Sequence, residues 1–240
     1  MKSSKLFLAA AVLLAATVSS FAIEPLVAVE SAADHNSLVW VNQYYKNPNP
    51  EILMKRAYVL SSMGYFEEEG QPAQAIGFFA AVFAQNPERV NFWLSQMSGL
   101  PAKHQRLLVA AAWQSGHALT AAQQQILNAS DDTAVAAFLT QKPVSLGETA
   151  VLSTSSMNLQ WGAFLATGNE RHVTNILAAV GSKIPEINTS ARISLALNAA
   201  QDDRVLEICR RELDKQPNDV REMLRAAINE AQNSKSPNRS

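Results

Sequence analysis

Histidines and carboxylates are the side chains of this sequence that could do chemistry, and their spacing does not assemble a site. The four histidines are His35, His104, His117 and His172. Two helical histidines that share a metal ion usually lie three or four residues apart, so that both point the same way. The closest pair here lies 13 residues apart. We therefore predict surface or helix-capping histidines, with no metal site and no cofactor.

Catalytic motifs are absent from the sequence, which contains no HExxH, GxSxG, SxxK, CxxC or GxGxxG and no phosphate-binding GxxxxGK[ST]. Adjacent acids such as the three glutamates at 67–69 project about 100° apart on a helix, so their spacing forms no general acid/base pair. We expect a protein that is not an enzyme. The alternative is a cell-envelope hydrolase that uses scattered carboxylates such as Glu148, Glu170 or Glu186.

Aromatic side chains are better candidates for a binding surface. Trp40, Tyr44 and Tyr45 lie on one short segment, and Trp40 and Tyr44 are four residues apart, which places them on one helix face. Tryptophan and tyrosine are enriched at the hot spots of protein interfaces. We predict an exposed, partner-binding aromatic patch here, and core positions for the other three tryptophans.

The elements that must position these residues are helices. Alanine and leucine are abundant, apolar residues recur three and four apart, and alternating β-branched runs are scarce. Short turns with glycine, proline, asparagine or aspartate separate the apolar segments. The pattern predicts an all-α protein with helices over 34–46, 51–68, 73–85, 88–98, 102–116, 120–129, 131–141, 147–167, 170–180, 187–200, 203–215 and 218–232.

This succession of helices and short connections is typical of stacked helical hairpins. The segment GQPAQAIGFFAAVFAQNP over 70–87 resembles the second half of a tetratricopeptide (TPR) unit, with its turn glycine, close-contact alanine, large aromatic and closing proline at Gly70, Ala75, Phe79 and Pro87. The resemblance implies an array of antiparallel helical hairpins, a degenerate TPR-like α-solenoid. Successive segments do not keep a regular period, and a compact irregular helical bundle is the alternative.

The first residues have the layout of a secretory signal peptide. Lys2 and Lys5 precede an apolar run of 13 residues, Leu6 to Val18, and small residues occupy the −3 and −1 positions of a site that ends at Ala22. We predict cleavage after Ala22. The run is shorter than the roughly 20 residues that cross a bilayer, so we expect a periplasmic or secreted protein without a transmembrane segment in the mature chain.

The sequence therefore divides into a signal peptide over 1–22, a lead-in segment over 23–33, one helical domain over 34–233 and a disordered tail over 234–240. Without the signal, 18 basic side chains stand against 21 acidic ones, a net charge of −3. That balance gives no reason to expect nucleic acid as a partner. The single cysteine, Cys209, excludes an internal disulfide and is expected to be buried.

Taken together, these features predict an exported, non-enzymatic helical-repeat protein that acts as an adaptor or scaffold. Its expected partner is an exported or envelope protein or peptide. Besides the hydrolase, the remaining alternative is a carrier of a small ligand or lipid, in which alanine, leucine and phenylalanine side chains line a cavity.

Overall fold

The computed structural model describes residues 36–129 and 145–235. The predicted signal peptide, its cleavage after Ala22, the lead-in segment and the helix over 131–141 lie outside the described residues. So do residues 34 and 35 of the predicted domain and residues 236–240 of the predicted tail.

The described residues form eleven α-helices and no strand, which confirms the all-α prediction. The first, α1, covers residues 36–43. The others are α2 (Leu53–Ser62), α3 (Gln71–Gln85), α4 (Val90–Ser95), α5 (Ala102–Gln114), α6 (Ala121–Asn128), α7 (Thr154–Thr167), α8 (Glu170–Ala179), α9 (Pro185–Gln201), α10 (Asp203–Leu213) and α11 (Asn218–Lys235).

Turn and capping residues fix most of these boundaries. Gly70, directly before α3, has a φ of 81°, and Gly168, directly after α7, has a φ of 63°, both in the left-handed region that favours glycine. Thr120 caps α6 in a reciprocal capping box with Gln123. The last helix continues to Lys235, two residues beyond the predicted end of the domain at 233.

The predicted start of α7 at residue 147 is wrong. Leu146–Glu148 forms a 3-10 turn, the next residues are not helical, and α7 begins only at Thr154. The reason is a local capping box at Ser153, whose Oγ accepts a hydrogen bond of 3.1 Å from the backbone N–H of Ser156. That bond satisfies a helix-terminal N–H that would otherwise be unpaired, and so favours the start seen in the structure.

Helices α3 and α7 pack along each other at the centre of the core and approach backbone to backbone. A Cβ atom on Gly77 would overlap the backbone of Leu159, and one on Gly162 would overlap the backbone of Gln74. Only glycine permits this approach, because any larger residue would push the helices apart. The crossing also brings α3 into contact with a helix that lies far from it along the chain.

After α7, every helix packs against the next one and against the next but one, through to α11. This order of contacts in the C-terminal half is strictly sequential, whereas the pairing of α3 with α7 is not. A single cluster of buried apolar side chains extends from Val41 on α1 to Ala231 on α11 and joins both halves. Within the described residues, no helix combines the length and apolar character needed to cross a membrane.

Candidate functional site

A polar cleft of about 460 Å³ lies where the C-terminal parts of α3, α5 and α7 meet the turn before α7 and the start of α8. Its volume lies within the roughly 300–1,000 Å³ of small-ligand sites. We call it the polar cleft because most of the described residues that line it have polar side chains: Gln85, Gln114, Ser115, Ser145, Glu148, Thr167, Asn169, Arg171 and His172. The other described lining residues are Ala81, Ala84, Leu146 and Gly147.

The floor of the polar cleft contains a buried imidazole whose tautomer is fixed by its neighbours. His172 is only 4% exposed, and its Nδ1 lies 2.7 Å from Oε1 of Gln160. The amide Nε2 of Gln160 donates two hydrogen bonds of 2.8 Å, to the backbone carbonyls of Leu146 and Thr149. Because two acceptors hold the amide nitrogen, the Gln160 oxygen must face the ring, and His172 Nδ1 must carry the proton.

The second ring nitrogen of His172 is therefore a hydrogen-bond acceptor. Burial lowers the pKa of His172 to about 4, with the nearby charge of Arg171 as the second cause, so the ring is neutral at physiological pH. Nε2 then carries a lone pair, and no described residue donates a hydrogen bond to it. The cleft thus offers an acceptor that is held in place by buried partners and is ready for an N–H or O–H group of a ligand.

Arg171 supplies the positive charge of the polar cleft. Its Nε donates a hydrogen bond of 2.7 Å to the carbonyl of Gly147, which also accepts a bond of 3.1 Å from the side chain of Asn175. The guanidinium is exposed, and no carboxylate among the described residues lies within ion-pair distance of it. Its neighbour Glu170 pairs instead with Arg211, at 2.9 Å.

The three acids proposed for the hydrolase alternative do not meet in one site. Glu148 lines the polar cleft, whereas Glu170 pairs with Arg211 and Glu186 lies in the first turn of α9, away from the cleft wall. Hydrolysis by two carboxylates needs both acids to flank the same bond. Among the described residues, the polar cleft has only one of the three predicted acids.

A second histidine cluster lies between α2 and the start of α5. Ser61 Oγ lies 2.7 Å from Nδ1 of His104, and Oε1 of Glu67 lies 3.4 Å from the other ring nitrogen. Glu67 also pairs with Lys103 at 2.6 Å. The order serine–histidine–glutamate resembles that of a hydrolytic triad, but the histidine–glutamate distance is too long for a hydrogen bond. Ser61 lines neither the polar cleft nor the pocket formed by Trp113, His117 and Leu127.

The predicted surface or capping positions are therefore wrong for two of the four histidines. His104 is 2% exposed and packs edge-on against Phe66, and His172 is buried in the polar cleft. Their helical spacing carried the signal for burial: His104 precedes Leu107, Leu108 and Ala111, and His172 precedes Ile176 and Val180 on one apolar stripe. His117, by contrast, is partly exposed and pairs with Asn91 at 3.0 Å.

The aromatic segment does not form the exposed patch predicted for it. Tyr44 is 1% exposed and contacts Trp40 and Phe78 edge-on in the core, and Trp40 is partly buried beside them. The patch was expected because Trp40 and Tyr44 share a helix face, but that face packs inward against α3. Their predicted role in binding a partner is therefore not proposed again.

Tyr45, the third predicted residue, links the segment that follows α1 to Asp202, the residue directly before α10. Its ring packs on Phe164 and Gly168, and its hydroxyl donates to both carboxylate oxygens of Asp202, at 2.9 and 3.1 Å. Burial raises its pKa, and the bond to Asp202 raises it further. The remaining aromatic expectations are confirmed for Trp93 and Trp161, which are buried.

Residues of the polar cleft other than Glu148 were not predicted from the sequence. Arg171 is one exposed arginine on a helix surface. Its neighbours in the sequence do not show that it pairs with no carboxylate of the described residues. Gln160 gave a signal that sequence reasoning missed, because it lies on the buried stripe of α7 with Met157 and Phe164. A glutamine at such a position needs polar partners.

No group of three histidine, cysteine, aspartate or glutamate side chains in the described part of the chain is arranged to hold a metal ion. Cys209 is buried as expected, and burial raises the pKa of its thiol to about 12, which keeps it protonated and unreactive. The chain matches no protein-family model, no curated protein and no solved structure.

Proposed function

We propose that this protein is an exported adaptor that holds a peptide segment of its partner in the polar cleft. The proposal rests on one observation: Nε2 of buried His172 is a fixed hydrogen-bond acceptor beside an arginine that pairs with no carboxylate among the described residues. Peptides match this arrangement because every residue except proline offers both an N–H donor and a carbonyl acceptor.

The other groups of the polar cleft support a peptide ligand in the same way. Glu148 adds an acceptor for an amide N–H or a basic side chain, and Gln85 adds an amide with both donor and acceptor atoms. The hydroxyl of Ser115 donates to the carbonyl of Ala112 at 2.6 Å, so its oxygen is left as an acceptor.

The polar wall also weighs against the two alternative functions. A lipid carrier needs a cavity lined mainly by apolar side chains, whereas this cleft has charged and amide groups on several sides. A hydrolase with paired carboxylates would need a second acid opposite Glu148. The exported location is proposed from the pattern of residues 1–22.

Retention of a peptide mixture by the mature chain tests the proposal. We would equilibrate the protein with N-acetylated tetrapeptides of randomised sequence, separate bound from unbound peptide by gel filtration, and identify the bound fraction by mass spectrometry. Ala84→Trp would fill the cleft from an exposed position on α3, and Ala226→Trp, on an exposed position of α11, is the matched control.

We expect retained peptides with the wild type and with Ala226→Trp, and a loss of at least about tenfold with Ala84→Trp, because an indole in the cleft excludes the ligand. Equal retention by the two tryptophan variants would place the binding elsewhere. Recovery of no peptide by the wild type would refute the proposal.

A further inference from the structure

We infer that the polar cleft recognises the free C-terminus of a peptide. In this arrangement the terminal carboxylate binds Arg171, and the backbone N–H of the last residue donates to Nε2 of His172. The inference rests on the proposed peptide-binding function and specifies which part of the peptide the site reads.

The inference depends first on the orientation of the Arg171 side chain. Its Nε is held on the carbonyl of Gly147 at 2.7 Å, so the planar guanidinium is fixed and its two terminal nitrogens remain for a ligand. A planar pair of N–H donors matches the two oxygens of a carboxylate, which can accept both bonds at once. An amide or a single carbonyl has only one acceptor oxygen, so it cannot accept both bonds in the way that a carboxylate does.

The inference depends next on the charge of Arg171, which no carboxylate of residues 36–129 or 145–235 neutralises. Three arginines of the described chain pair with acids: Arg89 with Glu51, Arg192 with Glu230, and Arg211 with Glu170 and Glu212. Arg171 pairs with no carboxylate in the described ranges, and its positive charge helps to lower the pKa of His172. A ligand carboxylate bound at the guanidinium would place its negative charge directly against the positive charge of Arg171.

The neighbouring acceptor carries the third step. His172 follows Arg171 directly in the first turn of α8, and its Nε2 can accept a hydrogen bond but cannot donate one at neutral pH. A carboxylate alone has no proton to donate, so it could not form a hydrogen bond with Nε2. The C-terminal residue of a peptide carries a carboxylate and an N–H donor a few bonds apart, so a single residue satisfies both groups.

Three chemically matched peptide mixtures test the inference. The first contains N-acetylated tetrapeptides of randomised sequence with a free C-terminal carboxylate. In the second the carboxylate is replaced by an amide, and in the third the last backbone nitrogen is methylated. A fourth mixture, methylated at the first residue's nitrogen, controls for the bulk of the methyl group. Retention is measured as in the gel-filtration experiment above.

We expect the free-acid mixture and its first-residue control to be retained, and the other two to fall by about tenfold or more, because a charge-assisted or a buried hydrogen bond is lost. Arg171→Gln should remove the preference for the acid over the amide, and Arg171→Lys should keep only part of it. Arg210→Gln, an exposed arginine of α10, should leave the preference unchanged.

Equal retention of acid and amide, with loss in Ala84→Trp, would overturn the C-terminal inference and leave the peptide-binding function standing. The same holds if Arg171→Gln keeps the full preference for the acid. If no mixture is retained, the proposed function itself fails. The two failures are therefore distinguishable within one experiment.

Discussion

His172 and Gln160 share a hydrogen bond of 2.7 Å that joins the first turn of α8 to the middle of α7. The bond is more than a link between helices. Gln160 also donates to the carbonyls of Leu146 and Thr149, so it connects the turn before α7 to His172 in the polar cleft. The same bonds fix the proton of the imidazole on Nδ1. One buried glutamine thus sets both the shape and the hydrogen-bonding character of the polar cleft.

Replacement of this glutamine should destabilise the fold. Gln160→Leu leaves a buried ring nitrogen and the carbonyl of Thr149 without partners, and we expect a loss of about 2–3 kcal/mol in the free energy of unfolding. Urea unfolding at neutral pH measures it. Gln125→Leu, at an exposed position of α6, is the control and should change stability by less than about 0.5 kcal/mol.

The tautomer of His172 can be observed directly. Because Oε1 of Gln160 only accepts, nitrogen NMR of labelled protein should show His172 with its proton on Nδ1 and a lone pair on Nε2. A spectrum with the proton on Nε2 would contradict the hydrogen-bond assignment and remove the acceptor on which peptide binding depends.

Stability should fall as the solution is acidified below the unfolded pKa of histidine. The folded pKa of His172 is about 4, below the value of about 6.5 in the unfolded chain. Between these values the unfolded state binds more protons, so the free energy of unfolding decreases as pH falls, by about 3 kcal/mol for this residue. The lowered pKa of buried His104 adds a loss of the same sign.

Urea titrations across this pH range, on the wild type and on His172→Gln, separate the two histidines. The variant keeps a polar partner for Gln160 but does not titrate, so its stability should depend less steeply on pH. A variant with the wild-type slope would show that the pKa of His172 is not lowered in the folded protein.

The glycine at the centre of α7 should tolerate no side chain. Alanine normally favours a helix over glycine by about 1 kcal/mol, but a Cβ at Gly162 overlaps the backbone of α3. We expect Gly162→Ala to lose about 3 kcal/mol net, because the crossing helices must separate. In the control Gly147→Ala, the new methyl group meets only the flexible side chain of Arg171. Thermal unfolding of both variants compares the two effects.

Asp202 should contribute to stability through several bonds at once. Its carboxylate caps α10 by accepting from the N–H of Arg204 at 2.9 Å, accepts from Tyr45, and pairs with Lys46 at 3.2 Å. We expect Asp202→Ala to lose about 2–3 kcal/mol. Asp214→Ala, which removes an exposed carboxylate, is the control.

A double-mutant cycle isolates the contribution of the tyrosine. Asp202→Ala and Tyr45→Phe should show a coupling energy of about 1 kcal/mol or more in urea unfolding, because they remove the two ends of one hydrogen bond. Additive effects would show that Tyr45 stabilises the protein through its ring alone.

The sequence predicted the helices well where their signals are local. Apolar spacing and the turn residues placed α5, α6 and α8 to within two residues at both ends, since caps and glycine turns act over a few residues. The start of α7 was missed because the apolar residues before Ser153 continue the helical spacing, while the capping box that begins the helix depends on two serine hydroxyls.

The site was less predictable because its parts come from distant segments. Glu148 was named as a candidate acid. Its place in one cleft with Arg171 and His172 depends on the packing of α7 against both α3 and α8. That packing depends on Gly77 and Gly162, two glycines 85 residues apart. Composition and periodicity describe single helices, and they do not say which helices pair.

The hydrogen bond between Tyr45 and Asp202 limits how early the N-terminal segment can complete its packing during synthesis of the chain. The two residues are 157 positions apart, and a ribosome adds roughly 5–20 residues per second. The segment that carries Tyr45 therefore waits on the order of 10 to 30 s before its last partner exists. During that interval the hydroxyl of Tyr45 lacks its acceptor, so this early segment cannot complete its packing until the segment that carries Asp202 has been made.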